Sequence, residues 1–571
     1  MTNKFFWKIL SEPDPSLVWA LKKEIDLPEV AAKILVNRGL SDPQMAESFL
    51  KPTLSDLLDP FLLKDIDRGV ERVIYALKEN QKIMIFGDYD VDGITAVSLI
   101  FLVLNRLGGD VSYYLPNRMV EGYGLSEEGI VEANKRKAKL LITVDCGVTA
   151  KKEVDFANSL GIDCIITDHH EPSEVLPDAC AIIDPKQKGK EYPGGELSGV
   201  GVAFKFAQGL YKRLGQDESE LEQHLDLVAL GTSADIVPLT KENRILTKFG
   251  MAQLSRTTKA GLKSLIFISG ILGRNIGTGQ IVYILAPRIN AVGRLGDAAK
   301  AVKLLTTKDE NIASQLAREL DKDNKTRKNI DEKTLSEALE LIEKDVDLSK
   351  DKIIVLSSPS WHQGVIGIVA SRLVERFHRP CMMIAIDEDE GKGSARTIPK
   401  FSLYHVLKEC EEYLIKYGGH EYAAGFSISP DKIDLFRKRL KTISSQRLSF
   451  DDLIPKLTID CEIKLSSIDQ NLVDSLELFS PFGPKNFCPV FLTKNLEIFG
   501  EPYIVGNNHL RLKVKKGDSI FDAIGFGLGD WVKPLSMKRI KIDLVYMIEK
   551  NEWNGNTRFQ LRVKDLKIAE I

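Results

Sequence analysis

Short apolar runs alternate with amphipathic helical segments between about residues 71 and 245. Each run is only a few residues long and is bounded by polar or glycine-containing stretches, as is typical of buried strands. The predicted strands are Ile83–Phe86, Val111–Leu115, Leu140–Val144, Ile162–Thr167 and Ala181–Ile183. Regular alternation of strands with helices predicts a parallel sheet covered by helices on both faces.

The hydrophobic pattern changes along the rest of the chain and predicts further domains. A charged stretch without glycine has apolar residues at helical spacing, which predicts one connecting helix. After it come a second alternating strand–helix region and then short β-runs with turn signals, which predict a small β-barrel of the OB type. The predicted domains are an N-terminal helical segment (1–70), a parallel-sheet domain (71–297), a connecting helix (298–347), a second α/β domain (348–447) and the barrel (455–571).

Acidic and histidine side chains follow three of the predicted strands. The first strand runs into a loop with three aspartates at alternate positions, the third ends at a single aspartate, and the fourth ends at an aspartate and two histidines. In sheets of this class, ligands bind outside the carboxyl ends of the strands, so these side chains are expected to meet. They are Asp88, Asp90, Asp92, Asp145, Asp168, His169 and His170, and Asp235 follows a later predicted helix.

The spacing of Asp88, Asp90, Asp92 and Gly93 also matches the opening of an EF-hand calcium loop. That loop needs a glutamate at its twelfth position, where this chain has Leu99, and it needs a helix before the loop rather than a strand. These two departures argue against a calcium loop. On this motif alone, three solvated surface carboxylates stay an alternative.

The later residues also have structural interpretations, since Asp145 and Asp235 are suited to capping helices and adjacent histidines to a buried hydrogen-bonded pair. Taken together, they favour a metal centre. Hard oxygen ligands with one imidazole suit Mn²⁺ or Mg²⁺ better than zinc or copper, and several carboxylates can bridge two ions. The candidate set is Asp90, Asp92, Asp145, His169 and Asp235.

Composition and charge exclude several classes of protein. The 571 residues are 43% hydrophobic and 28% charged, without an uninterrupted apolar run long enough to span a membrane and without a signal-peptide pattern at the start. The seven dispersed cysteines argue against a cysteine zinc site and favour a cytoplasmic protein. Net charge is −3, so a surface for nucleic acid must be local, and the residues from 508 onward hold 13 Lys/Arg against 8 Asp/Glu.

The motifs GDYDVDG, VDCG, TDHH and the later Asp235 resemble, in order, those of the DHH phosphoesterase superfamily. GKGSAR (391–396) and GGHEYAAGF (418–426) are similar to the DHH-associated domain. With the C-terminal barrel, residues from about 70 to 571 resemble the bacterial members that degrade single-stranded DNA. The implied fold is α/β: a DHH-type parallel sheet joined by a long helix to a DHH-associated domain, followed by an OB-type barrel.

The resemblance also implies a function and roles for the residues. It implies two ions, Mn²⁺ or Mg²⁺, held by Asp90, Asp92, Asp145, His169 and Asp235, with Asp88 and Asp168 beside them and His170 at the scissile phosphate. The implied activity is 5′-to-3′ hydrolysis of single-stranded DNA to mononucleotides in recombination and repair. A helicase and a single-strand-binding protein are expected partners, and no membrane is expected.

Further polar residues are candidates for the substrate path. Arg118 follows the second strand and is suited to clamping phosphate, while Ser394 and Arg396 lie among glycines in a candidate anion pocket, which by resemblance holds the DNA 5′ end. Arg288, Arg294 and His420 are expected to line a cleft between the lobes. The basic barrel suits single-strand binding. Plain structural roles stay the alternative for each of them.

Two other functions are alternatives to the exonuclease. One is a DHH phosphoesterase acting on oligoribonucleotides or small nucleotides, but such proteins lack a barrel like residues 455–571. The other is a non-catalytic DNA-binding relative, which is expected to have lost metal-site residues, whereas this chain has all of them.

Overall fold

The computed structural model describes residues 5–117, 121, 122, 124–189, 191–537, 540–553 and 556–569. Its strands are β1 (Phe6–Ile9), β2 (Ile83–Gly87), β3 (Val111–Tyr114), β4 (Leu140–Val144), β5 (Asp163–Thr167), β6 (Ala181–Ile183), β7 (Ile354–Ser358), β8 (Cys381–Asp387), β9 (Glu390–Arg396), β10 (Leu414–Gly419), β11 (Ala423–Ile428), β12 (Lys456–Ile459), β13 (Cys461–Glu462), β14 (Phe491–Ile498), β15 (Tyr503–Val505), β16 (His509–Lys516), β17 (Ser519–Gly525), β18 (Lys541–Trp553) and β19 (Asn556–Ile568).

The helices are α1 (Pro15–Glu24), α2 (Glu29–Asn37), α3 (Pro43–Leu50), α4 (Ile66–Lys78), α5 (Val91–Arg106), α6 (Glu127–Lys135), α7 (Lys151–Ser159), α8 (Gly199–Leu214), α9 (Leu225–Ala234), α10 (Lys241–Ser255), α11 (Ala260–Ile268), α12 (Thr278–Gln280), α13 (Ala286–Leu295), α14 (Ala299–Thr306), α15 (Glu310–Asp345), α16 (Gln363–Phe377), α17 (Leu403–Lys408), α18 (Ile433–Arg447), α19 (Gln470–Glu477) and α20 (Val532–Leu535). A π-helical turn, Ile281–Leu285, links α12 to α13.

The chain forms two compact units. The parallel-sheet unit comprises Pro52–Ile330 together with Pro481–Phe487, and the barrel unit comprises Met1–Lys51, Asp331–Ser480 and Cys488–Ile571. Within the described residues, no helix is long and apolar enough to cross a membrane. The seven cysteines are free thiols.

The parallel-sheet unit is built on five strands in the order β3-β2-β4-β5-β6, all parallel. Alternate side chains of β2 enter two different apolar clusters, Ile83 and Ile85 on one face and Met84 and Phe86 on the other. Both faces are therefore covered, which explains why the strand is a continuous apolar run. The predicted α/β fold is confirmed, and each predicted strand of this sheet is present to within one residue at either end.

Strand order places a topological switch at the centre of this sheet. The chain passes from β2 to β3 on one side and then crosses to β4 on the other, so that β2 and β4 are neighbours. Ligands of open α/β sheets bind at the carboxyl ends of strands that flank such a switch. Asp88 follows β2 and Asp145 follows β4, at that place.

The barrel unit contains a mixed sheet and a closed barrel. The mixed sheet has the order β10-β11-β9-β8-β7, with β7 and β8 parallel and the other pairs antiparallel. In the barrel, β14 pairs with β18, then β19, β17 and β16 follow, and β16 pairs back onto β14. This ring of strands confirms the predicted OB-type barrel.

The N-terminal segment differs from the helical prediction for residues 1–70. It begins with β1, which pairs in parallel with β12 of the barrel unit, and the indole Nε1–H of Trp7 donates to Asp565 Oδ2 at 2.8 Å. Helices α1 to α3 follow, and the division between the two units falls at Lys51 and Pro52. A strand of four residues without a buried face shows no apolar alternation from which it could be predicted.

The connecting helix predicted over 298–347 is two helices, α14 and α15. Thr307 ends α14 in an extended conformation, and Asp309 Oδ1 accepts hydrogen bonds from the backbone N–H groups of Asn311 and Ile312 at the start of α15. An aspartate cap can begin a helix without any glycine or proline before it, which is why the break was not predicted. The division between the units falls within α15, after Ile330.

Candidate metal centre

Four neighbouring strands of the parallel sheet are each followed by an aspartate. Asp88 follows β2, Asp145 follows β4, Asp168 follows β5 and Asp184 follows β6. All four side chains are buried. Carboxylates do not stay buried without compensation, because loss of hydration penalises their charged form. The carboxyl ends of these four strands, here called the sheet rim, therefore require hydrogen-bond donors or cations close to the aspartates.

The loop after β2 turns directly into α5. Asp90 is the N-cap of this helix, and its Oδ1 accepts from the N–H of Gly93 at 3.0 Å. A Cβ at Gly93 would lie 2.5 Å from the backbone oxygen of Asp88, so only glycine lets the first turn of α5 approach the loop this closely. The aspartate spacing that resembles a calcium loop is here a strand-to-helix turn.

Asp92 is tied to the first turn of α8, which begins 107 positions later. Its Oδ2 accepts from the N–H of Gly199 at 2.6 Å and its Oδ1 from the N–H of Val200 at 2.9 Å. These are orphan amides of a helix N-terminus, which favour an anionic partner. Gly199 also lies against Asp145, since a Cβ on it would be 2.4 Å from Asp145 Oδ1.

His169 points its Nε2 at three carboxylates. The atom lies 3.1 Å from Asp145 Oδ1, 3.5 Å from Asp235 Oδ2 and 4.0 Å from Asp92 Oδ2. Among the described residues, His169 Nε2, Asp145 Oδ1 and Asp235 Oδ2 are buried and have no hydrogen-bond partner. Three converging donor atoms without partners fit a bound cation, and their chemistry of two carboxylates and one imidazole suits Mn²⁺ or Mg²⁺.

The electrostatics of the cluster support the same interpretation. Burial, followed by the charge of Asp90, raises the pKa of Asp92 to about 7. Burial and the charge of Asp92 raise the pKa values of both Asp145 and Asp235 well above their ordinary range. Burial lowers the pKa of His169 to about 3, which keeps its imidazole neutral and able to ligate. The carboxylates repel one another here unless positive charge is supplied.

Two groups of potential ligand atoms lie side by side at this rim, connected by the contact between Asp145 and His169. Asp92, His169 and Asp235 form one, and Asp88, Asp90 and Asp145 form another. Within each group the ligand atoms lie within 4.8 Å of one another. Asp145 also groups with the two histidines. An arrangement in which one aspartate lies beside both sets is suited to two ions that share a carboxylate.

Both carboxylate oxygens of Asp168 have hydrogen-bond partners within the protein. Its Oδ1 accepts from the N–H of His169 at 2.7 Å and from the N–H of His170 at 3.2 Å, and it lies 2.7 Å from His170 Nδ1. Its Oδ2 accepts from the N–H of Val148 at 2.9 Å. Asp168 thus orients the His170 ring rather than offering an atom to a metal ion.

The pKa of His170 reflects this contact. Burial lowers it, but the hydrogen bond to Asp168 and the charges of Asp168, Asp88 and Asp90 outweigh burial, so the pKa lies above its ordinary value. For Asp168, burial acts to raise the pKa, and the hydrogen bond and charge of His170 reverse the shift. Both side chains border a cavity of about 180 Å³. His170 is therefore a protonatable group that borders a cavity.

Asp184 was not among the predicted site residues. It directly follows β6, its Oδ1 accepts from the N–H of Lys186 at 2.7 Å, and its Oδ2 has no partner among the described residues. Burial raises its pKa to about 7, and the charge of Asp168 adds to the shift. The signal was present in the sequence, because Asp184 follows a predicted strand in the same way as Asp145 and Asp168.

Known proteins match this architecture along its whole length. Residues 82–232 match the DHH family, N-terminal domain, residues 350–446 the DHHA1 domain and residues 459–565 the RecJ OB domain. The single-stranded-DNA-specific exonuclease RecJ of Bacillus subtilis is 39% identical, covering 100% of this chain and 72% of that protein. The chain belongs to the RecJ family.

Other members of the RecJ family give the same result. The RecJ of Escherichia coli is 34% identical over 95% of this chain and 96% of that protein. The crystal structure of RecJ from Thermus thermophilus in complex with Mn²⁺ has a TM-score of 0.86 at 28% identity, covering 100% of this chain and 81% of that one. The same RecJ in complex with Mg²⁺ has a TM-score of 0.79 at 27% identity, covering 99% of this chain and 79% of that one.

The arginines predicted for the substrate path of this RecJ-family chain differ in their surroundings. Arg118 lies outside the described residues. Arg288 is paired, since its Nε lies 3.0 Å from Asp321 Oδ1 and its Nη1 donates to the backbone oxygen of Ile284 at 2.6 Å. A paired guanidinium has fewer donors left for a phosphate.

Arg294 lies in the last turn of α13 and is half-buried. Its neighbour Gly293 packs on the loop after β2, because a Cβ there would lie 2.5 Å from the backbone oxygen of Tyr89. The glycine therefore brings the end of α13 beside the loop that carries Asp88 and Asp90, and it places Arg294 near the candidate metal centre.

Three other predicted residues lie together at one end of the mixed sheet in the barrel unit. Arg396 Nη1 donates to Ser394 Oγ at 3.3 Å, and Arg396 pairs in register with Ala423 of β11. The exposed His420 lies in the turn between β10 and β11, where its N–H donates to the backbone oxygen of Ala423 at 2.8 Å. A Cβ at Gly367 would lie 2.8 Å from Ser394 Oγ, so glycine lets α16 approach this end closely.

Proposed function

We propose that this protein is a metal-dependent exonuclease that degrades single-stranded DNA from its 5′ end and releases mononucleotides. The observation that carries the proposal is the convergence of Asp145 Oδ1, His169 Nε2 and Asp235 Oδ2, buried and without partners among the described residues. Membership of the RecJ family, whose named relatives are single-stranded-DNA-specific exonucleases, supports the choice of substrate.

The proposed ligands belong to the two groups at the sheet rim. Asp92, His169 and Asp235 would hold one ion, and Asp88, Asp90 and Asp145 would hold the other. The RecJ of Thermus thermophilus binds Mn²⁺ and Mg²⁺ in its crystal structures, which supports either ion here. When bound, such ions neutralise charge on the phosphodiester and lower the pKa of the attacking water.

The protein's own residues have distinct roles in this scheme. Asp168 holds Nδ1 of His170 and keeps the ring in one orientation. The raised pKa of His170 favours its protonated form, which can donate a hydrogen bond to an oxygen of the scissile phosphate. The α8 amides that bind Asp92 keep its carboxylate fixed as the substrate enters. The neutral His169 ligates without adding charge.

The substrate path is proposed from the remaining polar residues. Ser394, Arg396 and His420 share one end of the mixed sheet and supply hydrogen-bond donors suited to the 5′-phosphate. Arg118, Arg288 and Arg294 are proposed to contact phosphates nearer the metal ions. On the barrel, Arg511, Lys513 and Lys515 alternate with the buried Leu510, Leu512 and Val514 along β16, a basic face that suits a DNA backbone.

A cytoplasmic location and the assistance of a helicase and a single-strand-binding protein belong to the same proposal. An enzyme restricted to single strands needs another activity to open duplex DNA, which supports the helicase. The small-nucleotide alternative is disfavoured by the barrel of residues 459–565, and the non-catalytic alternative by the retained ligand atoms.

The test is a nuclease assay with Mn²⁺ on oligonucleotides labelled at the 5′ or the 3′ end, single-stranded or in a blunt duplex. We expect mononucleotide release from the 5′ end of the single strand and little digestion of the duplex. Asp145→Asn is expected to lower the rate by about 100-fold or more. The exposed Asp155 of α7 provides the matched control Asp155→Asn, which should retain the parent rate. Release from the 3′ end first, or equal digestion of the duplex, would refute the proposal.

A further inference from the structure

Ile236, directly after Asp235, has an unusual backbone and an unusual exposure. Its φ is +61°, in the left-handed region, where the Cβ of an L-residue crowds the backbone. Of the described non-glycine residues with positive φ, Ile236 alone is β-branched. Its side chain is also 74% exposed. Neither backbone energy nor packing favours isoleucine at this position.

The loop around Ile236 is anchored on both sides. Before it, the N–H of Asp235 donates to the backbone oxygen of Gly231 at 3.1 Å. After it, the side-chain amide of Asn243 donates to the backbone oxygen of Pro238 at 3.1 Å. The N–H of Leu239 donates to the backbone oxygen of Pro484 at 2.9 Å. Strained conformations persist only where the surroundings impose them, and they concentrate at functional sites. The anchors hold the Ile236 side chain out towards solvent.

The position of this side chain relative to the candidate metal centre suggests what it meets. Ile236 directly follows Asp235, whose Oδ2 lies 3.5 Å from His169 Nε2. Since consecutive Cα atoms are about 3.8 Å apart, Ile236 lies next to the candidate metal centre. A phosphodiester seated at the metal centre carries a nucleoside on each side of its phosphate. The apolar surface available there belongs to the deoxyribose and the base.

We propose that Ile236 packs against the base of one of the two nucleosides that flank the scissile phosphate and so contributes to recognition of a nucleic acid rather than of an isolated phosphate. This inference rests on the proposed function. The contact makes Ile236 a specificity-determining residue that tolerates any base sequence, because every base offers an apolar face. The rigid loop presents the side chain without an ordering cost when the strand binds.

The experiment compares Ile236→Asn and Ile236→Leu with the parent. Asparagine tolerates the left-handed region but removes the apolar contact. Leucine keeps the apolar contact. Binding is measured by fluorescence anisotropy with Ca²⁺ in place of Mn²⁺, and KM and kcat are measured with Mn²⁺. Three single-stranded oligonucleotides are used: an unmodified one, one abasic at the first nucleotide and one abasic at the second.

We expect Ile236→Asn to weaken binding of the unmodified strand and raise its KM by about fivefold, as for an apolar contact of about 40 Å². With one of the two abasic strands, the variant and the parent should agree within twofold, since the contact is already absent. Ile236→Leu should bind like the parent. The thermal midpoint of Ile236→Asn should equal or exceed that of the parent, since backbone strain is relieved. Leu272→Asn, which removes another exposed apolar side chain of the same unit, serves as the control.

An unchanged affinity of Ile236→Asn for the unmodified strand would overturn the inference, and so would an equal loss with all three strands. A lower thermal midpoint together with weaker Mn²⁺ binding would assign the residue a structural role instead. If the parent binds DNA in an Ile236-dependent way but does not hydrolyse it, the proposed function alone fails. If the parent is active and Ile236→Asn matches it, the inference alone fails.

Discussion

Gly199 is the residue at which the structure allows the candidate metal centre to be perturbed without altering a proposed ligand. A Cβ placed there would lie 2.6 Å from Asp145 Cβ and 2.4 Å from its Oδ1, whereas ordinary contact begins at 3.4 Å. The Gly199→Ala variant must therefore move Asp145, α8 or both. Since the N–H of Gly199 also donates to Asp92, a shift of α8 disturbs a second proposed ligand.

The required movement is large compared with what a metal centre tolerates. The distance from the new Cβ to Asp145 Cβ must increase from 2.6 Å to the 3.4 Å of ordinary contact. This movement is larger than the roughly 0.5 Å within which functional groups must be held. We expect Gly199→Ala to weaken Mn²⁺ binding by about 10–100-fold, as for loss of a group that orients a ligand. Overpacking is expected to cost about 1–3 kcal/mol of unfolding free energy as well.

Gly201 of the same helix provides the control. A Cβ on Gly201 would be 3.1 Å from Ser198 Oγ and 3.4 Å from Leu197 Cβ, which a small adjustment accommodates. Gly201→Ala should bind Mn²⁺ like the parent and gain some helix propensity. Mn²⁺ affinity is measured by isothermal titration calorimetry, with circular dichroism to confirm folding. A folded Gly199→Ala variant with the parent's Mn²⁺ affinity would refute the packing argument.

Two further predictions concern pH. The pKa values of Asp92, Asp145 and Asp235 are raised in the folded protein, so without metal it binds protons that the unfolded chain has released. The thermal midpoint measured in EDTA should therefore fall as pH rises from about 5 to about 8. Excess Mn²⁺ should reverse this trend. A midpoint in EDTA that rises over the same range would contradict it. Asp168→Asn removes the carboxylate that raises the pKa of His170, so the decline of kcat at alkaline pH should move to lower pH. A pH–rate profile measures this shift. An unshifted profile would exclude His170 as the titrating group.

The fold followed from the sequence where its causes are local. The apolar run of β2 and the strand-end position of Asp145 were visible because each depends on a few adjacent residues, and the α/β class with an OB-type barrel is confirmed. The pairing of β1 with β12 was not visible, because neither strand's sequence specifies a partner so distant along the chain.

The candidate site was predictable in composition but not in detail. Strand ends and motif order brought Asp92 and His169 into the predicted set, and their assignment as metal ligands stays a prediction. That Asp92 accepts from two α8 amides could not be inferred, since those donors come from a helix 107 positions later. Likewise, the full engagement of Asp168 depends on the backbone of Val148, which the sequence does not orient.

The short segment Pro481–Phe487 has a consequence for dissecting this protein. Both of its flanks belong to the barrel unit, yet it belongs to the parallel-sheet unit, where Pro484 accepts from the N–H of Leu239 and Phe482 from Thr278 Oγ1. The polypeptide therefore passes between the two units four times, and no single cut separates them. A fragment that ends at residue 330 would leave the Leu239 amide, in the loop that carries Asp235, without its acceptor.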